Sequence, residues 1–382
     1  MTSTIQDDPV LVTNARQLER LMDRLLGESI VAVDTESNSL FAYQEQVCLI
    51  QFSASGKDFL VDPLALDDLS PLTPLFSSSK IEKVFHAAEY DLICMKRDFG
   101  FEFDNIFDTM VAARILGRNE VGLGSLIEAE FGVHLEKRYQ RANWGQRPLP
   151  PHLLSYARLD THYLIQLRDR LMEELHRNGL WMLGKEDFKR LNDIDGHFSA
   201  NGKNGQDKIN PWRIKGVKDL THQQAAVLYE LCRYRDKVAK SLNRPLFKVI
   251  NNHTLLAIAM QTPGSMRDLS TIPGMSPKQM RRHGRHLLKA VELGLRAEPL
   301  YPPRAPRPSD AYLQRVERLR YWRKIAAQEM GVPSDVILPK DIMYMLAAEN
   351  PANKEELSRA MSSVPWRLER YGDQILKVLL KG

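Results

Sequence analysis

A chain of 382 residues, 43% of them hydrophobic, can bury real cores and suggests two or three domains at about 150 residues each. No apolar run approaches the roughly 20 residues that cross a bilayer, and the opening MTSTIQDDPV lacks the basic flank and apolar stretch of a secretion signal. Cys48, Cys94 and Cys232 are scattered, with no Cys-x-x-Cys or His/Cys cluster to suggest zinc, so a reducing cytoplasm is the expected home and no membrane partner is expected.

In chain order, the first two hundred residues read as α/β. An amphipathic segment from Asn14 to Leu26 predicts a helix and leads into IVAVD, an apolar run ending in acids, as a buried strand opening onto a site would. VCLIQF and FLVD are further strands, with a turn at Gly56 between them. KVFH reads as a short strand, and AAEYDLICMKRDF after it as a helix with Ala88, Leu92 and Met95 on one face. Helices are predicted from Thr109 to Leu116 and from Gly124 to Glu130. The run RPLPPHLLSYARLDTHYLIQLRDRLMEEL predicts one long uninterrupted helix behind its prolines.

Polar DIDGHFSANGKNGQDKINP then reads as a linker, and PLYPPRAPRPSD as a second, extended and semi-rigid one. Between and after them the pattern is helical. A shift of 88 residues aligns Pro245 with Pro333, Ala259 with Ala347, Arg282 with Arg370 and Gly284 with Gly372, without a gap and with apolar positions in step. That is an internal repeat of a small helical module. The expected domains are 1–205, 211–298 and 309–382.

Net charge is only +5, but it divides unevenly. Residues 1–200 hold 21 Lys+Arg against 31 Asp+Glu, net −10, which leaves +15 for the remainder. An acidic cleft in the first half would need cations before a phosphate could approach, whereas the second half would attract one directly. Arg233, Arg235, Lys237, Lys240, Arg244, Lys248, Arg281, Arg282 and Arg285 are candidates for that grip, with Arg244 and Lys248 placed in contact with substrate; a solvated or dimerising helix face is the alternative.

Three short motifs carry candidate chemistry. Asp34 and Glu36 in VAVDTE lie two apart on a strand, hence on one face, and both can reach one hard cation such as Mg²⁺ or Mn²⁺; taken alone, the pair is weak evidence and reads first as a solvated strand end. Asp91 in HAAEYD begins a helix, where the dipole favours an acid whatever its job. His86, at the strand exit, could bond a substrate phosphate or sugar. Tyr156 and Asp160 in YARLD are one helical turn apart and share a face. Should Asp160 bind metal, the Tyr156 hydroxyl would be placed to orient an attacking water, since a phenol is a poor base at neutral pH; packing against the sheet is the alternative.

In this order the motifs resemble the three exonuclease motifs of the DEDD superfamily, tyrosine subgroup. FDTMVAARILG, GLGSLIEAEFGVHLEK and NWGQRPLPPHLLSYARLDTHYLIQL extend the resemblance to the ribonuclease D family over nearly the whole chain. The resemblance implies an RNase H-like α/β domain, a mixed sheet flanked by helices, followed by two small all-α HRDC-type domains. It further implies 3′-5′ removal of mononucleotides from RNA by two-metal hydrolysis. Asp34 would bridge both cations, Glu36 and Asp160 would complete the site of the attacking water, Asp91 would hold the second cation through its waters, and Tyr156 would aim the water. RNA with a single-stranded 3′ end is the implied substrate, tRNA 3′ trimming the family expectation, and a monomer without an obligate protein partner the expected state. A DNA-directed 3′-5′ exonuclease and a non-catalytic nucleic-acid binder are the alternatives; the absence of a helicase or polymerase segment favours RNA, and the presence of all five motif residues favours catalysis.

Overall fold

The computed structural model describes residues 8–136, 138–194, 209–303 and 307–380. Two compact units form: residues 1–36, 47–196 and 306–382 make one, and residues 37–46 with 197–305 make the other.

The first unit is built on a six-stranded sheet. In chain order its elements are β1 (Val10–Val12), α1 (Ala15–Leu25), β2 (Ile30–Ser37), β3 (Val47–Ala54), β4 (Lys57–Val61), α2 (Thr73–Phe76), β5 (Glu82–Phe85), α3 (Glu89–Phe99) and β6 (Ile106–Asp108). Then come α4 (Thr109–Ile115), α5 (Leu123–Phe131), α6 (Pro151–Ala157), α7 (Leu159–His162), α8 (Leu164–Arg177) and α9 (Trp181–Asn192). Sheet order is β1-β4-β3-β2-β5-β6. β3 and β4 run antiparallel, whereas β1 with β4, β2 with β5, and β5 with β6 run parallel. The β3–β4 turn is the two-residue Ser55–Gly56, both at positive φ (47° and 72°), the backbone that a tight hairpin with right-handed twist demands.

Strand alternation sorts the core. On β2, Val31 and Val33 face α1 and α3, packing with Leu18, Leu25, Leu92 and Met95. Ala32 faces the other way, with Leu164, Leu167 and Leu171 of α8. By the same period of two, Asp34 and Glu36 share the side of Ala32, and Thr35 that of Val33.

Three expectations need correction or addition. The long helix after the prolines is three pieces, interrupted at Arg158 and Tyr163, because a buried network described below turns α7 away from a straight path. The short strands β1 and β6 and the helix α9 carried too few alternating or periodic residues to be read. The first linker lies largely outside the described residues, as do residues 304–306 of the second.

The repeat is visible in detail. α10 (His222–Ser241), α11 (Leu246–Val249), α12 (Asn252–Gln261), α13 (Met266–Ser270) and α14 (Pro277–Arg296) recur as α15 (Asp310–Met330), α16 (Ser334–Ile337), α17 (Lys340–Glu349), α18 (Lys354–Ala360) and α19 (Pro365–Leu380). Arg235 Nη1 donates to the Ile250 carbonyl at 3.0 Å, and its counterpart Arg323 donates to Leu338 at 2.9 Å. Arg235 is therefore a buried structural residue, bonded also to Asn252, and not part of a nucleic-acid grip as its place in the basic cluster suggested. Arg244 and Lys248 are exposed, and the Lys248 ammonium sits 3.8 Å from the centre of the Phe41 ring. Phe41 belongs to the segment 37–46, which is fastened to this module by a 2.7 Å bond from the Tyr43 hydroxyl to Asp236.

The second copy packs within the first unit. Val336, Met330, Val332 and Trp366 join the core beneath α4, α8 and α9. Arg367, fully buried, pairs with Glu186 and Asp187 of α9 and donates to the Val336 carbonyl, and Glu186 accepts the Trp366 amide at 2.8 Å.

Candidate active site

The carboxyl ends of the parallel strands β2 and β5 open onto a cleft of about 450 Å³ lined by Asp34, Glu36, His86, Gln140, Tyr156 and Asp160, with Thr35 and Glu136 at its wall. Asp91 is buried in the first turn of α3 and accepts a hydrogen bond from the Thr35 hydroxyl. Thr35 stands between Asp34 and Glu36, so the strand that presents those two acids to the cleft also anchors Asp91 of α3.

The four carboxylates act on one another electrostatically. Burial, then Asp91, Asp160 and Glu36, push Asp34 well above the usual carboxylate range. Glu36 is pushed up to about 9 by burial and by Asp160 and Asp91. Asp91 rises to about 7, chiefly through burial and against the pull of the Thr35 bond, and Asp160 to about 7 through burial and Asp91. Among the described residues none of the four has a Lys or Arg partner within ion-pair distance. Four acids crowded without a cation are an incomplete electrostatic arrangement.

As the side chains stand, no three His, Cys, Asp or Glu groups among the described residues form a closed ligand cage. Zinc-like sites need such a cage, whereas Mg²⁺ keeps several waters and takes one or two carboxylates together with substrate phosphate. The all-oxygen donor set, its surplus negative charge and its open cleft thus fit hard divalent cations.

Tyr156 is buried and backed by rings: Trp144 lies 6.2 Å away and Tyr139 meets it edge-on at 5.7 Å. Its acidity falls below that of an ordinary phenol through burial and the nearby Asp160, Glu36 and Asp34, while a hydrogen bond from Gln140 works the other way. The hydroxyl stays protonated at neutral pH. Arg147 fixes the loop that carries Trp144 and Gln140: it forks onto Asp62, both bonds 2.6 Å, and donates to the Cys48 and Trp144 carbonyls at 2.7 Å each.

Asp160 is placed by a network that the sequence reading missed. Asp58 of β4, buried, accepts bonds from Arg158 at 2.7 and 2.8 Å, from Ser53 at 2.7 Å and from His162 Nδ1 at 2.9 Å. Ser53 also meets Thr161 at 2.7 Å. Three of the five residues from Arg158 to His162 are thereby tied to the sheet, which leaves Asp160 facing the cleft. The available signal was Asp58 itself, an acid in a strand whose next three residues are apolar.

A 3′-5′ exonuclease family model matches residues 9–176, and the HRDC domain model matches twice, at residues 224–291 and 313–379. Ribonuclease D of Sphingobium indicum is 28% identical over 370 residues, 95% of this chain and 92% of that one. The matches give the chain a 3′-5′ exonuclease domain followed by two HRDC domains, and along nearly its whole length it is similar to ribonuclease D. It is also 36% identical over 263 residues to exosome complex component 10 of Mus musculus, covering 66% of the chain and 29% of that protein. It spans less than half the length of the eukaryotic relatives it matches. The crystal structure of Escherichia coli RNase D shares its fold, with a TM-score of 0.69, 23% identity, and 98% and 99% of the two chains covered. No helix among the described residues is long and apolar enough to cross a membrane.

Proposed function

We propose that this chain is a divalent-cation-dependent 3′-5′ exoribonuclease that trims single-stranded 3′ ends, tRNA precursors among them. The observation that carries this reading is the convergence of Asp34, Glu36 and Asp160 in one cleft, with Asp91 buried in electrostatic reach of them, all with raised proton affinities and without a cationic partner among the described residues.

Asp34, Glu36 and Asp160 would hold Mg²⁺ or Mn²⁺ from the cleft side, and Asp91 from the α3 side. When bound, two such cations neutralise the phosphate and stabilise the attacking and leaving oxygens of an in-line displacement. Tyr156 stays neutral, receives the Gln140 amide on its oxygen, and so has its own proton free to orient a water against the terminal phosphorus. The buried Asp58 network fixes the short helix that carries Asp160 against the sheet. The exposed Arg281, Arg282 and Arg285 of α14, together with Arg244 and Lys248, would grip the RNA backbone.

The test is release of mononucleotides from single-stranded RNA and DNA of matched sequence, with Mg²⁺ or Mn²⁺ and with chelator. Metal-dependent release from RNA, abolished in Asp160→Ala, is expected; undiminished activity in that variant would sink the site, and a preference for DNA would redirect the substrate.

A further inference from the structure

His86 lines the cleft directly after β5, and its ring is fixed from behind. Its Nδ1 lies 2.9 Å from the hydroxyl oxygen of Thr109, a fully buried residue. That hydroxyl lies 3.1 Å from the Phe85 carbonyl. A carbonyl oxygen only accepts, so the single Thr109 proton goes to Phe85; the reverse arrangement would set two oxygen lone pairs against each other in a buried place. Thr109 must then accept the proton on His86 Nδ1. In the neutral ring this leaves Nε2 as a bare acceptor, and no described residue donates to it.

The backbone holds this arrangement in place. Ala87 adopts φ 60°, a left-handed conformation that costs a non-glycine residue about a kcal/mol or more. The buried Asp108 stabilises it by accepting the amides of Ala87 at 3.1 Å and Ala88 at 2.7 Å. Burial also lowers the proton affinity of the imidazole, which favours the neutral ring, although Asp108 opposes this.

We infer that His86 Nε2 accepts a hydrogen bond from a sugar hydroxyl of the substrate's 3′-terminal nucleotide, and that this contact selects a ribose end over ends that lack the hydroxyl or carry a phosphate in its place. The inference rests on the nuclease reading above and deepens it. An acceptor rewards a hydroxyl and offers nothing to a phosphate, whose oxygens need donors. Both the 2′ and 3′ hydroxyls qualify chemically, and the 2′ hydroxyl is the group that separates RNA from DNA.

The experiment measures removal of the first nucleotide from RNA oligomers ending in ribose, 2′-deoxyribose, 3′-deoxyribose or a 3′-phosphate, by the full chain and by His86→Ala and His86→Gln. The wild-type chain should favour the ribose end over one of the deoxy ends by about ten-fold, the size of one productive hydrogen bond to a buried-site partner. His86→Ala should erase that preference by slowing the ribose end alone, and His86→Gln, which keeps an acceptor, should restore part of it. Whichever deoxy end loses its disadvantage identifies the hydroxyl. Equal slowing of every end in His86→Ala, or an unchanged preference, would overturn the inference. Nitrogen NMR of the cation-free protein reads the ring without turnover, with the His86 signal assigned by its loss in His86→Gln. A proton on Nδ1 is expected, and one on Nε2 overturns the assignment even if the nuclease reading stands. Absence of nucleotide release from every end with either cation would instead remove the nuclease reading, and the inference with it.

Discussion

Asp58 of β4 and His162 of α7, 104 residues apart in the chain, meet at 2.9 Å in a site where the carboxylate is almost wholly buried. With Arg158 on the same carboxylate, this contact makes the short helix bearing Asp160 part of the sheet. Asp58→Ala removes the buried carboxylate that Arg158, Ser53 and His162 share and should cost about 3 kcal/mol of stability. Denaturant unfolding checks this. The proton affinity of Asp58 lies below normal: burial raises it, but the bonds from His162, Ser53 and Arg158 outweigh burial. Its stabilisation is therefore complete above about pH 4, the unfolded value, and lost as pH falls through the lower folded value. The Asp58→Asn variant should show a shallower acid limb in melting temperature against pH; an unaltered limb would contradict this role.

The four site carboxylates have the opposite sign. With folded values near 7 for Asp91 and Asp160 and near 9 for Glu36, against about 4 unfolded, the folded state binds more protons across that window. Their contribution to stability is present below about pH 4 and declines as pH rises through these values. In chelator, melting temperature should thus drop between about pH 5 and pH 9, and Mg²⁺ or Mn²⁺ should restore it most at the alkaline end. A cation effect of equal size in Asp34→Asn/Asp160→Asn would remove the basis for the metal reading.

Arg147→Ala frees the loop behind Tyr156 without touching a reacting group. Turnover should fall about ten-fold with KM little changed, as expected when a positioning element loosens. Arg147→Lys should rescue poorly, because an ammonium cannot fork onto Asp62 while also reaching the Cys48 and Trp144 carbonyls. Full rescue by lysine would argue for simple charge instead.

Tyr156→Phe keeps the ring packing against Trp144 and Tyr139 but removes the proton that would orient water. Turnover should drop by about 100-fold, within the range for a positioned proton donor, with cation affinity by calorimetry preserved. Lost cation binding in this variant would contradict the orienting role.

The two helical copies should differ in their contribution to RNA binding. Residues 211–298 hold 16 Lys+Arg against 6 Asp+Glu, whereas residues 309–382 hold 12 against 10. Replacing Arg281, Arg282 and Arg285 with Ala should weaken RNA binding and reduce its salt slope by about 0.7 per lost phosphate contact. Deleting everything from residue 206 onward is the cruder test, because it would also strip residues 307–380 from the unit they share with the sheet. An unchanged slope in the triple variant would move the grip elsewhere.

Much of this arrangement was legible from sequence because its chemistry sits at positions with simple periodicity. Asp34 and Glu36 two apart on an apolar strand announce a shared face, and the repeat is readable because prolines, glycines and apolar positions recur in step. What was not legible depends on tertiary partners. The break at Arg158 follows from Asp58, 100 residues earlier, and a helical pattern cannot report it. Arg235 looked like one charge among many, yet its fork closes a turn of its own module. The direction of the His86 proton required Thr109 and Phe85 in space.

The pairing of Arg367 with Glu186 also has a timing. The two residues are 181 positions apart, so during synthesis at about 5–20 residues per second the acids of α9 wait roughly 10–35 seconds for their guanidinium. Through that interval the apolar surface that Val336 and Trp366 cover in the folded unit lacks that cover. Codon choice and chaperone access over residues 190–370 should therefore affect the yield of the catalytic domain, although none of that stretch contributes a motif residue to its cleft.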